Sequence, residues 1–350
     1  MRGRVSNGRR EHNYAAGYGV AMDAWNVGKR IQWNVVIFGV LFATIILVFS
    51  VASHNFLTTG NLLDVLKHVS IIAIASLGLT FVIIVGHLDL SFYLNSCFAA
   101  MAMSWLISLG WNVYAAILVG LLAGMVLGLF SGLAVGLFHL PDVIVTIAIG
   151  AIAFGGSYIF SNGMFIFTGF LESGIATLNN GSVLGISVPV LIMAGIFLLA
   201  YLLLENTKTG RMFYATGYSK KVSRFSGLNV TGIVVTAFVI SSALTALGAM
   251  IATSAKGNGD VSIAVAFLLP CYTSVYLGAA IFKRPGVIGT LSGAVFMEVI
   301  TDGFTLLNVP YYITNLVASG LLIAAILVSV LKLSQRRHAT EYREIQAVSK

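Results

Sequence analysis

The chain has 350 residues, of which 58% are hydrophobic and only 9% charged. Soluble globular domains carry about 25% charged residues, so water is excluded as the solvent for most of this surface and lipid is implied. The net charge of +8 does not point to nucleic acid, because the basic residues stand in short segments beside apolar runs, as topology signals do.

In chain order, residues 1–33 read as a basic cytoplasmic tail without a cleavable-looking leader, and the first apolar stretch, from near Val35, is long enough to span. A helix needs roughly 20 apolar residues to cross the hydrocarbon core. Runs of that kind lie near 34–53, 66–86, 92–109, 112–138, 142–161, 187–204, 231–253, 262–282, 286–306 and 311–331. The segments are uniformly apolar rather than alternating, which predicts ten helices and excludes a barrel. The turns at 86–92 and 138–142 are so short that a re-entrant or broken helix stays open at one of them. Residues 34–332 thus form one transmembrane domain, with 205–230 as its longest interior loop and 333–350 as a second cytoplasmic tail.

The basic residues orient the spans. With the N-terminus inside, every Lys and Arg except Lys67 and Lys256 falls on the inner side, as the positive-inside rule requires for cytoplasmic termini. Gly120, Gly124, Gly128, Gly132 and Gly136 recur every fourth residue, a smooth stripe that lets another helix approach closely, of the same chain in preference to a second subunit. Pro270 is expected to kink or break its span. Cys97 and Cys271 sit in apolar runs and read as packing residues, and no Cys/His spacing suggests a metal.

Ionisable residues at membrane depth are expensive and mark candidate function. Asp89 and Ser91 stand at the junction of two spans, where they suit a gate or a helix cap, and Asp142 after Pro141 suits a cap. Glu298 and Asp302, four residues apart, share a helix face and could line a hydrated path with Asn95. Thr146, Ser157 and Asn162 are weaker candidates for that path, and His87 occupies an ordinary turn position. No nucleophile–base set stands out, and no GxxxxGK[ST] phosphate loop is present, so the chain is not expected to hydrolyse ATP.

The most informative stretch is Glu205–Val230, ENTKTGRMFYATGYSKKVSRFSGLNV, punctuated by Gly210, Gly217 and Gly227, with a helix-compatible piece at Ser219–Phe225. It resembles the loop TxxGRxxYAxGxxxxAARxSGxNV of ribose-type permeases of bacterial ABC importers. Gly210, Arg211, Tyr214, Gly217, Arg224 and Gly227 stand at matching places. Gly86-His87-Leu88-Asp89-Leu90-Ser91 is similar to the family's GGxDLSVG segment, and LGAAIFKRPGVIGTLSGA followed by DGFTLLNVPYY to its late glycine-rich turn and NGLxLLxVxxYY segment. The chain departs from the pattern at Phe92 and Tyr93, where small residues are usual, and at Lys221, Val222 and Ser223 in the loop.

The resemblance implies the all-α fold of type II ABC importer permeases in the bacterial inner membrane. It also implies a coupling helix seated in the ATPase, a second permease subunit as homodimer or heterodimer, and a periplasmic binding protein that delivers a small sugar-like solute. The outer loop 162–186, whose single charge is Glu172, is a candidate dock for that protein. ATP and Mg would be bound by the partner ATPase, and no cofactor by this chain. The rival readings are a branched-chain amino acid-type permease and an ion-coupled secondary transporter, which would wire Glu298 or Asp302 to solute.

Overall fold

The computed structural model describes residues 34–327. Both tails expected to be cytoplasmic, and the end of the last span, lie outside the described residues. Of the described residues, those before Phe49 belong to one compact unit and those from Phe49 onward to another.

Ten apolar helices correspond to the ten expected spans. They are α1 (Asn34–Ala52), α2 (Thr59–Ile84), α3 (Phe92–Ser108), α4 (Val113–Gly136), α5 (Asp142–Ser157), α7 (Val188–Asn206), α10 (Val230–Lys256), α11 (Leu268–Phe282), α12 (Val287–Leu306) and α13 (Tyr311–Leu327). Three short helices complete the count: α6 (Thr177–Asn180) on the loop after α5, and α8 (Lys208–Tyr218) and α9 (Lys220–Phe225) after α7. Among the described residues, eight helices are long and apolar enough to cross a membrane, while α3 and α13 are shorter. A two-stranded hairpin, β1 (Ser182–Val183) and β2 (Ile186–Ser187), precedes α7.

Two boundaries differ from expectation for physical reasons. Helix α2 starts at Thr59, seven residues early, because its first turns carry Asn61, Asp64, Lys67 and His68, which an apolar window passes over. Pro270 neither kinks nor breaks a helix. The chain runs from Gly257 through a turn and a 3-10 segment at Val265–Phe267, so Pro270 falls in the first turn of α11, where a missing N–H is one of the unpaired ones anyway.

The core is built around α2 and α10. Both are apolar on nearly every side, as a helix surrounded by other helices must be, and both are largely buried. They run antiparallel: Gly78 faces Ser241, and Ile71 faces Gly248. The glycine stripe of α4 lies along α10 within the same chain, with Gly124 against Ala246, Gly128 against Phe238 and Ser242, and Gly132 against Val235. Helices α11 and α12 pack on each other and on α2.

The two halves repeat each other. Helix α2 ends in Gly86-His-Leu-Asp89-Leu-Ser91, and α10 ends in Gly257-Asn-Gly-Asp260-Val-Ser262. Both glycines have positive φ, +77° and +74°. In both turns the aspartate Oδ1 accepts from the serine N–H and Oγ, at 2.8 and 2.6 Å in the first and 2.9 and 2.8 Å in the second. A short helix follows each turn. The next helix then ends in Phe138-His139-Leu140-Pro141 or Leu307-Asn308-Val309-Pro310, with His139 and Asn308 both left-handed at φ +56° and +54°. Since α2 and α10 are antiparallel, α2–α5 and α10–α13 form an inverted repeat, a plan common among transporters.

At Gly128 an added Cβ would lie 2.7 Å from the Phe238 carbonyl oxygen and the Ser242 side chain, whereas at Gly155 nothing lies within 4 Å. Overpacking of a close contact costs about 1–3 kcal/mol or more. Gly128→Leu is therefore expected to lower the thermal midpoint and monodisperse yield of the detergent-purified protein, while Gly155→Leu leaves both near wild type.

Candidate functional site

Helices α8 and α9 form a folded element between α7 and α10. Thr207 caps α8, its Oγ accepting from Gly210 N–H at 3.2 Å, and Ser219 caps α9, accepting from Val222 N–H at 3.3 Å. Gly210 sits in the corner where α7 turns into α8, and a side chain there would collide with the Leu203 and Leu204 carbonyls. Gly217 rests on the C-terminal end of α2, where a Cβ would collide with the Ile84 carbonyl oxygen. Phe213 is buried edge-on against Phe81 of α2, ring centroids 5.7 Å apart. Expected as a loop with one short helix, the segment is thus helical through both pieces and fastened to α2 by backbone contact.

Polar contacts fasten it elsewhere. Tyr214 donates to Glu205 Oε1 at 3.1 Å, Arg284 donates to Glu205 Oε2 at 2.8 Å, and the Arg284 guanidinium lies 4.9 Å from the centre of the Tyr214 ring. Burial, and then the Glu205 carboxylate, push the Tyr214 hydroxyl above its ordinary pKa, so it stays a donor. Arg224 donates to His139 Nε2 at 2.6 Å, and Lys220 to His87 Nε2 at 2.8 Å. His87 Nδ1 in turn lies 3.1 Å from Asp142 Oδ2, which also accepts from Leu88 N–H at 2.9 Å. Gly227 takes a left-handed φ of +79° in the exit toward α10. Away from the helices, Arg211, Lys208, Lys221 and Val222 are exposed, with Tyr218 at 97% and Phe225 at 80%.

The remaining sequence candidates separate into three places. Asp89, Ser91 and Asn95 are fully buried in a polar network. Asp89 Oδ2 accepts from Ser241 Oγ of α10 at 3.2 Å, its carbonyl accepts from the Tyr272 hydroxyl of α11 at 2.9 Å, and Asn95 donates to Ser91 Oγ at 3.0 Å. Glu298 lines a cavity of about 370 Å³ with His68, Ile71, Ile72, Ala252, Ala255, Lys256 and Phe267. Asp302, one turn further on, instead accepts from Asn61 at 2.8 Å and ties α12 to the start of α2. Thr146 donates to the Asp142 carbonyl and accepts from Leu90 N–H, Ser157 bonds its own helix, and Asn162 is a left-handed turn residue.

Sequence reading passed over Asp260, which pairs with Lys256 beside this cavity, and over the bonds that His87 and His139 make to α9. The recurrence of Gly-x-x-Asp-x-Ser was the available signal for the first. Nothing in the sequence signalled the second, because the partners lie 133 and 85 residues apart.

Comparison with known proteins agrees with this geometry. Residues 61–326 match the family profile described as branched-chain amino acid transport system / permease component. The ribose import permease protein of Haemophilus influenzae is 29% identical over 287 residues, covering 81% of this chain and 89% of that protein. The L-arabinose ABC transporter permease protein of Azospirillum brasilense is 30% identical over 87% of this chain and 88% of its own length. The autoinducer 2 import system permease protein of Photorhabdus luminescens is 26% identical over 86% and 92%. No solved structure matches the chain significantly.

Asp89 accepts three side-chain or backbone donors at one helix break, and leaving buried donors unpaired costs about 1–3 kcal/mol each. Asp89→Ala is expected to lower the thermal midpoint more than Asp89→Asn, which keeps an acceptor oxygen, when both are measured in detergent.

Proposed function

This chain belongs to the branched-chain amino acid transport system / permease component family, and from that premise we propose that α8–α9 takes the stroke of a cytoplasmic ATPase and converts it into alternating access. It is a multi-pass inner-membrane permease, the non-catalytic transport subunit of an ABC importer for a small sugar-like solute. Importers of this family combine such a permease with an ATPase, a second permease subunit and a solute-binding protein.

One observation carries the mechanical reading: the α8–α9 element is rigidly seated on the inner end of α2, the helix at the centre of the core, through Gly217 and Phe213. A force on the element reaches α2 without an intervening flexible loop. Its outward side offers Tyr218 and Phe225 amid Arg211, Lys208 and Lys221, which fits an apolar groove with an acidic rim on the ATPase. Apolar anchors supply affinity in such an interface, and the charged rim supplies orientation. The two cytoplasmic termini, and the placement of this element inside, rest on the distribution of Lys and Arg.

Two of the path candidates differ in what surrounds them. The Glu298 cavity has three polar groups, Glu298, His68 and Lys256, on otherwise apolar walls, a composition that suits a small hydroxylated solute. Asp89, Ser91 and Asn95 lie on the opposite side of α2 in sequence order, at its inner end, where their network suits a gate that opens when the lever moves. The curated relatives that import ribose, arabinose and autoinducer 2 favour a sugar-like solute over a branched-chain amino acid. The outer loop 162–186 presents Leu171 and Leu184, each 99% exposed, as the surface for the binding protein.

Gly217→Trp forces α8 off α2, and Arg211→Glu reverses one charge on the docking side. Both are expected to insert and fold yet lose most binding-protein-stimulated ATP hydrolysis in liposomes; unchanged stimulation in both would refute the lever. Glu298→Leu is expected to cut solute uptake about tenfold, the cost of one charge-assisted bond, while stimulated ATP hydrolysis persists.

A further inference from the structure

The two cations that α9 turns toward the membrane helices meet the same kind of acceptor. Lys220 bonds to His87, in the turn between α2 and α3, and Arg224 bonds to His139, in the turn between α4 and α5. Lys and Arg have only donors to offer, so both imidazoles must present a bare Nε2. The other ring nitrogen of each then carries the proton. His139 Nδ1 lies 2.7 Å from the Leu137 carbonyl oxygen and His87 Nδ1 lies 3.1 Å from Asp142 Oδ2, and both of those partners are acceptors. Each contact is therefore self-consistent only for a neutral histidine with its hydrogen on Nδ1.

We propose that His87 and His139 are positioning residues for transport, two neutral clasps through which α9 holds the inner turns of the α2–α5 repeat and moves them with the lever. The inference rests on the coupling role of α8–α9. It goes further by naming what transmits the motion beyond the α2 contact at Gly217. The His87 clasp reaches three elements at once: Lys220 on α9, its own turn, and Asp142 at the start of α5, which also holds Leu88 N–H. The His139 clasp reaches the end of α4, where its left-handed φ of +56° turns the chain toward α5. Together they bind α9 to both inner turns of one repeat.

The counterpart turn on the other repeat has no such histidine. Asn308 occupies the left-handed position equivalent to His139, and Asn258 the position equivalent to His87. The histidines therefore stand only where the lever is.

Protonation would break a clasp, since an imidazolium cannot accept from a cation and repels it. The charged groups around His87 are Lys220, with Arg224 behind it on α9, and Asp142 on α5. From α10 it meets the uncharged Phe238 ring, from α8 the backbone of Gly217 near Gly86, and on its own turn Asp89 is engaged by Ser91 and Ser241. Burial, and then Lys220, lower the His87 pKa below its ordinary 6.5, with Asp142 opposing. The sign follows: the clasp is intact near neutral pH, and it is lost as pH falls below 6.5 through that lowered value.

The test uses the complete importer in liposomes, with solute translocated per ATP hydrolysed as the readout. His87→Leu combined with His139→Leu is expected to lower that ratio by about tenfold, while His87→Gln with His139→Gln, which keep an acceptor for each cation, retain it. Lys220→Met added to His87→Leu should cause no further loss, since both remove one contact. Between about pH 8 and 5, where histidine changes charge, the wild-type ratio should fall on acidification and that of the His87→Gln, His139→Gln pair should not. An unchanged ratio in the leucine pair, or parallel pH profiles for wild type and the glutamine pair, would overturn the proposal, and the glutamine arm decides it even where the leucine pair fails to fold. Gly217→Trp separates the two readings: if it uncouples while the histidine variants do not, only the clasps fail, and if it does not uncouple, the lever itself fails.

Discussion

A helix that ends buried among other helices must find partners for the backbone groups it frees, because no water is there to supply them. The rest of this fold depends on how that constraint is met at the ends of α2 and α10. In each turn a glycine reverses the chain with a positive φ, and an aspartate two residues before a serine takes up that serine's N–H and hydroxyl. After the first turn, α3 is only 17 residues long, less than the roughly 20 a full crossing needs. After the second, the 3-10 segment Val265–Phe267 runs on into α11 to give an apolar stretch of 18.

Both turns built this way are crossed by other segments of the chain. On one side α8–α9 lies over the Gly86 turn, touching it through Gly217. On the other, the segment after α5 lies over the Gly257 turn. Ile166 and Gly259 exchange backbone hydrogen bonds at 2.9 Å each way, and Ser254 donates to the Ile175 carbonyl at 2.7 Å. Each central helix thus ends beneath an ordered loop borne by the other part of the chain. Each loop therefore bears directly on a helix that contacts most of the core.

Much of this was legible in the sequence, because the bilayer imposes a strong length and composition rule. The places of ten apolar helices, eight of them long enough to span, the packing of the α4 glycine stripe within the chain and the α9 piece followed from hydropathy, spacing and capping residues. What was missed followed from weaker signals. Helix α8 carries Gly210 and Gly217, which lower helix propensity, yet both are retained for close backbone approach to α7 and α2. The start of α2 was hidden by Asn61, Asp64 and Lys67. Glu298 and Asp302 share a helix face as their spacing requires, but only the fold shows that one opens on a cavity and the other is occupied by Asn61. The inverted repeat escaped notice because its signature is six residues long and its two copies are 171 positions apart, inside helices whose apolar sequences carry little information.

The differences between the two copies are the more instructive part. Asp, Ser and the left-handed Gly are common to both turns, since both must satisfy the same freed backbone. The two residues between Gly and Asp are not: His87-Leu88 in one, Asn258-Gly259 in the other. At the first, an imidazole receives Lys220 of α9 and Leu88 N–H reaches Asp142. At the second, the absence of a side chain on Gly259 lets Ile166 pair with its backbone, and a Cβ there would meet Ser104 at 2.6 Å. One turn is fastened by side-chain hydrogen bonds that depend on a proton's position, the other by a backbone bridge that does not. A repeat that meets one solvation constraint twice is thus asymmetric where its partners differ, with the titratable fastening on the face where α8–α9 lies.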